Sequence, residues 1–239
     1  MTGPSRSARW TYSSCLVMSV VGITVALHWW AAAEVRRNTS ELVLLSLGGA
    51  AWLIVASNLF PWLGLSVLDD AVERRNIAAL VALCGAVIGV AITYAGANLG
   101  EGPSYWNNLF SVALGTGGLL CLWILLELSG RVSVSIAEHR DLASGMRLCG
   151  FLIATGLILG RAVAGDWHSE AATLRDYWRD GWPAMVLCAT ALAIERLARP
   201  SQARPFPPWL SFGSLPVLFH LGMAIGWLWY LGPWEGKPQ

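Results

Sequence analysis

Lysine is nearly missing from this chain: Lys237 is the only one among sixteen basic residues. Charge of either sign is scarce, at 13% of 239 residues, and the formal net charge is only +1. No run of Lys and Arg is long enough to attract nucleic acid, so nucleic-acid binding is not expected. No CxxC or Cys/His spacing suggests zinc, and the five cysteines, Cys15, Cys84, Cys121, Cys149 and Cys188, fall in or beside apolar runs as small buried side chains. GxSxG, HExxH and phosphate-loop patterns do not occur. The sequence therefore predicts no enzyme and no metal site.

What the chain does have is apolar surface. It is 55% hydrophobic, with fourteen tryptophans and a mean hydropathy of +0.53. A soluble domain of this length needs more polar surface, so the composition predicts a membrane protein. The apolar run after Arg6 and Arg9 is too long for a signal-peptide core and is read as a retained span.

Seven segments have about the 20 residues needed to cross a ~30 Å hydrocarbon core. They are 12–33, 42–65, 77–98, 109–128, 142–164, 180–198 and 210–231. The expected fold is an all-α, polytopic transmembrane helical bundle. With the N-terminus cytoplasmic, nine basic residues fall on that side and six on the other. This imbalance favours a cytoplasmic N-terminus and a periplasmic C-terminus.

Two stretches repeat at a constant offset of 65 residues: ERRNIAALVALCGAVIGVAITYAGANLG from Glu73 and EHRDLASGMRLCGFLIATGLILGRAVAG from Glu138. Arg75 matches Arg140, Leu83-Cys84-Gly85 matches Leu148-Cys149-Gly150, and Gly100 matches Gly165. A gapless match at fixed period signals a duplicated unit. One complete re-entry lies between the copies, so both run in the same direction. The prediction is two parallel helical hairpins related by an axis along the membrane normal. The expected division is an N-terminal span and loop (1–41), hairpin repeats at 42–108 and 109–181, and a C-terminal two-helix unit (182–239). The last two spans read as a third, worn copy, since AIERLARP resembles LLELSGRV.

The tandem units, the polar leads ERRN-AA and EHRD-AS-G, the glycine-rich helix and the GxNxGEGP-like turn at Gly96 to Pro103 resemble the bacterial membrane family called domain of unknown function 350. The resemblance covers about residues 45–198. It implies a bacterial inner-membrane location and supplies no activity.

Gly85, Gly89 and Gly96 fall on one helical face, with Gly150 in the second copy. Small residues at this spacing let helix backbones approach in lipid; the competing reading is a passage for a small solute. On the same face Ala82 and Gly96 have become Arg147 and Arg161. Arginine inside a span should find a partner in protein or water. Glu127 is the expected partner of Arg147, and Glu101 or Asp166 that of Arg161. These pairs are read as two separate anchors tying the hairpins, with a cavity between repeats as the alternative; the arginines lie roughly 21 Å apart along the helix.

Trp106, Trp167, Trp178 and Trp182 sit in outer loops beside acidic residues, where an interfacial belt or partner surface is expected. His28 and His220 differ in depth, so a bis-His haem is not expected. His220 is deep enough to ligate haem or a pigment, and its default role is a hydrogen bond to a neighbouring helix. No cofactor is otherwise implied. The residues together favour a non-enzymatic membrane scaffold or accessory subunit, contacting lipid and either its own copies or partner membrane proteins. The alternative is a transporter or channel using Arg147 and Arg161.

Overall fold

The structure, a computed structural model, describes residues 5–198, 200 and 208–232. Most of the basic, proline-rich stretch 196–208 and Lys237 lie outside them. The described residues are all-α. In chain order they form α1 (Ser5–Trp30), the short α2 (Ala33–Arg37), α3 (Thr39–Ser57), α4 (Ile77–Ala97) and α5 (Tyr105–Gly130). The short α6 (Val132–Ala137), α7 (Leu142–Ala162), α8 (Glu170–Gly181), α9 (Pro183–Ala198) and α10 (Leu215–Leu231) follow. Six helices are long and apolar enough to cross a membrane, and α8 with α9 makes a seventh candidate as a broken span bent by 44°.

Two expected spans change shape. The sixth is not one helix over 180–198: α9 starts at Pro183, and the polar α8 arrives at an angle. Proline has no amide to continue the preceding helix, so the break falls there. The second span stops at Ser57 rather than reaching residue 65, because Pro61 and a left-handed Gly64 (φ +88°) turn the chain through a tight 3-10 turn at Phe60–Leu63. That turn tucks Phe60, Leu63 and Leu65 into the core, which explains their apolar character.

The helices form two layers. α1, α4, α7 and α10 stand side by side in one row; α3 packs against α1 and α4, α5 against α4 and α7, and α9 against α7 and α10. Directions follow from pairwise contacts. Tyr12 bonds Ser57 at 2.8 Å and Thr24 bonds Ser46 at 2.9 Å, so α3 runs opposite to α1. Cys15 reaches the Cys84 carbonyl while Trp30 lines one groove with Leu99, and Gly150 faces Val217 while Leu157 lines that groove with Leu228, so α1 runs with α4 and α10 with α7. The sequence paired two parallel helices; the row has four.

α4 and α7 are its centre. About 67% and 72% of their spans are buried, against 22% for α1 and α3 and 17% for the last span. Between them the backbones touch. A methyl group on Gly85 would lie 2.5 Å from Cys149 Cα, and one on Gly89 would lie 2.6 Å from the Leu152 carbonyl oxygen. Gly96 abuts the Gly160 backbone and Gly100 the Gly165 backbone. Lipid offers no hydrophobic drive between helices, so van der Waals contact made possible by missing side chains holds this seam. Gly150 packs too, but against Val217 of α10 rather than α4.

Both central helices begin alike. Asn76 accepts from the amides of Ala78 and Ala79, and Asp141 accepts from those of Ala143 and Ser144. These side chains satisfy amides that a helix start leaves without partners. Arg75 and Arg140 each adopt φ +53°, uncommon for a residue with a Cβ. Matching backbone bonds hold the two turns: Asn76 N to Asp70 O at 3.1 Å and Asp141 N to Ser135 O at 3.0 Å.

Candidate functional site

The strongest concentration of buried charge lies where α7, α9 and the turn leading into α10 meet. α7 contributes its cap, Asp141, then Ser144 and Arg147 on successive turns of one face. α9 contributes Glu195, and the π-helical turn Leu210–Ser214 contributes the Phe212 carbonyl. Arg147 is 4% exposed, Glu195 2% and Ser144 0%.

Every arginine nitrogen is used. Arg147 Nε donates to Glu195 Oε2 at 2.7 Å, one terminal nitrogen to the Phe212 carbonyl at 2.6 Å, and the other to Ser144 Oγ at 2.6 Å. The last nitrogen also lies 3.5 Å from Asp141 Oδ2. Ser144 Oγ in turn lies 2.7 Å from Asp141 Oδ2 and 3.1 Å from Glu195 Oε1. A planar guanidinium with five donors is well suited to binding three elements at once.

This corrects the expected pairing. Glu127 is not the partner of Arg147: its carboxylate accepts from Ser133 N at 2.8 Å and Ser133 Oγ at 2.6 Å, capping α6 instead. Charged ends of α5 and α7 had suggested a contact, but the left-handed Arg131 turns the chain away between them. The residues that sequence reasoning missed are Glu195, Asp141 and Ser144. The one sequence feature bearing on Glu195, the likeness of AIERLARP to LLELSGRV, sets it opposite Glu127 and so marks both as acids near a helix end without separating them.

His220 lies beside this tetrad, fully buried. Its Nε2 is 3.4 Å from Thr190 Oγ1 on α9, the expected bond to a neighbouring helix, and its ring packs edge-on against Phe151. Nδ1 has no hydrogen-bond partner among the described residues. A cavity of about 10 Å³, near the size that holds one water, is bordered by His220, Glu195 and Arg147.

Arg161 lies elsewhere. It borders a mainly apolar groove of about 400 Å³ between α1 and the α4–α7 seam, with Gly22, Ala26, Ala95, Gly96 and Gly160. At the same end Asp166 Oδ1 accepts from Glu101 N at 2.8 Å, and Trp167 N donates to the Glu101 carbonyl at 2.7 Å. These two bonds lace the turns that follow α4 and α7 together. His168 Nδ1 sits 3.0 Å from the Asp166 carbonyl rather than from either carboxylate. Among the described residues no three His, Cys, Asp or Glu side chains converge as metal ligands.

The tryptophans gather at that end. Trp106 is outward-facing and donates to Glu170 at 3.3 Å, Trp167 stands edge-on to Phe110, and Trp178 is 61% exposed. Trp182 is half exposed and packs edge-on against Trp227, whose indole donates to the Asp180 carbonyl. The Trp106–Glu170 bond is the counterpart, 65 residues on, of Tyr105 bonding Glu41, with acid and aromatic exchanged.

No family model, curated protein or solved structure matches this chain.

Proposed function

We propose that this chain is a non-enzymatic scaffold or accessory subunit of the bacterial inner membrane, built on tandem two-helix repeats, with its N-terminus cytoplasmic and its C-terminus periplasmic. The observation that carries the reading is the backbone contact along α4 and α7, which fills the middle of the row with protein. Such a centre holds flanking helices in fixed positions. The outward faces of α1, α3 and α10 and the tryptophan-bearing end are then the surfaces that meet lipid, further copies or partner helices.

A passage running from Arg147 to Arg161 draws no support from this geometry. Arg147 is committed to Glu195, Ser144 and Phe212 on the α9 side, whereas Arg161 borders the groove on the α1 side. Between them, Ala154 is fully buried and Gly150 is filled against by Val217.

Extraction in mild detergent, followed by native mass spectrometry, tests the scaffold reading. An oligomer or a heteromeric assembly is expected. A strictly monomeric chain that brings no partner out of the membrane contradicts it.

A further inference from the structure

The row of four helices is covered by protein on one face only. α3, α5 and α9 make the second layer, and none of them lines the groove of about 400 Å³ that follows the α4–α7 seam. α1 forms one wall of that groove and Leu228 of α10 stands on the other. Gly22 and Trp30 on the α1 wall are exposed, so the groove opens to the surroundings of the bundle.

Its length is that of one leaflet. The lining runs from Ser19 to Trp30 on α1 and from Ile88 to Leu99 on α4, about 16 Å at a rise of 1.5 Å per residue. Ile88 lies midway along α4. With a hydrocarbon core of ~30 Å, the groove therefore reaches from one interface to the middle of the bilayer and stops there. A transmembrane helix, from this chain or another, needs a seat about twice as long. An extended acyl chain from one leaflet fits the length and the apolar lining.

The outer end has a different chemistry. Arg161 is the one charged side chain among the described lining residues, and Trp30 lines the same end. An arginine at the end of a span lays its stem along apolar surface and carries its guanidinium to headgroup level, where tryptophan also sits. A guanidinium matches two phosphate oxygens with parallel N–H bonds. Glu101 and Asp166, the acids of the turns that follow α4 and α7, do not line the groove.

We propose that this groove binds one anionic phospholipid from the leaflet at the tryptophan-bearing end. Its phosphate pairs with Arg161, and one acyl chain lies along the α4–α7 seam between α1 and α10. Such a site needs only helices that span a bilayer; a strictly monomeric chain would carry it as well as an oligomer.

Native mass spectrometry of the full chain reads the site, after incubation in detergent with equal amounts of phosphatidylglycerol and phosphatidylethanolamine of matched acyl chains. The wild type should retain one phosphatidylglycerol per chain in preference to phosphatidylethanolamine. Gly22→Phe should abolish that retention, because a Cβ built there meets nothing within 4 Å and the ring enters the groove without displacing protein. Gly222→Phe sets the same ring on α10 at an equally open position outside the groove and should retain lipid as the wild type does. Arg161→Gln should lower the preference for phosphatidylglycerol about fivefold, as expected for one basic side chain beside anionic lipid. Equal retention of the two lipids by the wild type, or retention that survives Gly22→Phe, overturns the site. An oligomer lost in Gly22→Phe with lipid retention unchanged overturns it too, and makes the groove a seat for a helix. Should Arg161→Gln fail to fold, the wild-type preference and the contrast between Gly22→Phe and Gly222→Phe decide the matter.

Discussion

The two stretches related by 65 residues start alike in backbone geometry and then diverge at matched positions. Asn76 and Asp141 cap their helices the same way, and Arg75 and Arg140 share one unusual backbone conformation. One and a half turns later Ala82 stands where the second stretch has Arg147. The first position is neutral and small; the second holds a buried ion pair with Glu195 at 2.7 Å. The comparison teaches that geometry of the helix start and chemistry of the helix face are separable. Caps fix where a helix begins, and a compensated pair of charges can then be set on its face without disturbing that start.

The largest effect is expected from breaking the charged set on one side only. Arg147→Ala strands Asp141 and Glu195 and should cost about 3–5 kcal/mol in reversible unfolding from mixed micelles. Arg147→Ala with Glu195→Ala moves the second set toward the first and should recover part of that loss. If the double variant is as unstable as the sum of the singles, the two residues are not coupled.

The glycine seam comes next. Gly96→Ala drives a methyl group into the Gly160 backbone and should cost about 1–3 kcal/mol, as overpacking does. Gly222→Ala, where a methyl meets nothing within 4 Å, should change stability by no more than about 0.5 kcal/mol. Equal effects at the two sites would mean that α4 and α7 do not touch as described.

Capping effects are smaller. Asn76→Ala should cost about 1–2 kcal/mol. Asn76→Asp, which borrows the second stretch's residue, should recover only part of this, because the Asn76 amide also donates to the Ile136 carbonyl. The smallest change is expected for Trp106→Phe, which removes one exposed bond to Glu170; its effect should stay within about 0.5 kcal/mol.

Much of the bundle was legible in the residues. Apolar runs located the helices that can cross a membrane, and glycine spacing marked the face on which α4 meets α7. Both signals are local, and lipid makes them strong: a span must be apolar, and a close backbone contact must lack side chains. The errors arose where turns override hydropathy. Phe60, Leu63 and Leu65 read as the end of a span but fold back under Pro61 and Gly64. The partner of Arg147 was obscured for a related reason. Glu195 is distant in sequence, and its depth depends on the bend at Pro183, so Glu127, nearer in the chain, looked better placed.

The central claim is that α4 and α7 lie parallel and in backbone contact, with the turns that follow them side by side. Glu101→Cys combined with Asp166→Cys, in a chain whose five native cysteines are replaced by alanine, tests it in native membranes with a short thiol cross-linker. The bond from Asp166 Oδ1 to Glu101 N places these positions together, so an intramolecular link identified in the monomer by peptide mass spectrometry is the predicted result. Antiparallel helices would set the same residues about 30 Å apart, across the hydrocarbon core. Two reactive thiols that never join within one chain would contradict the account.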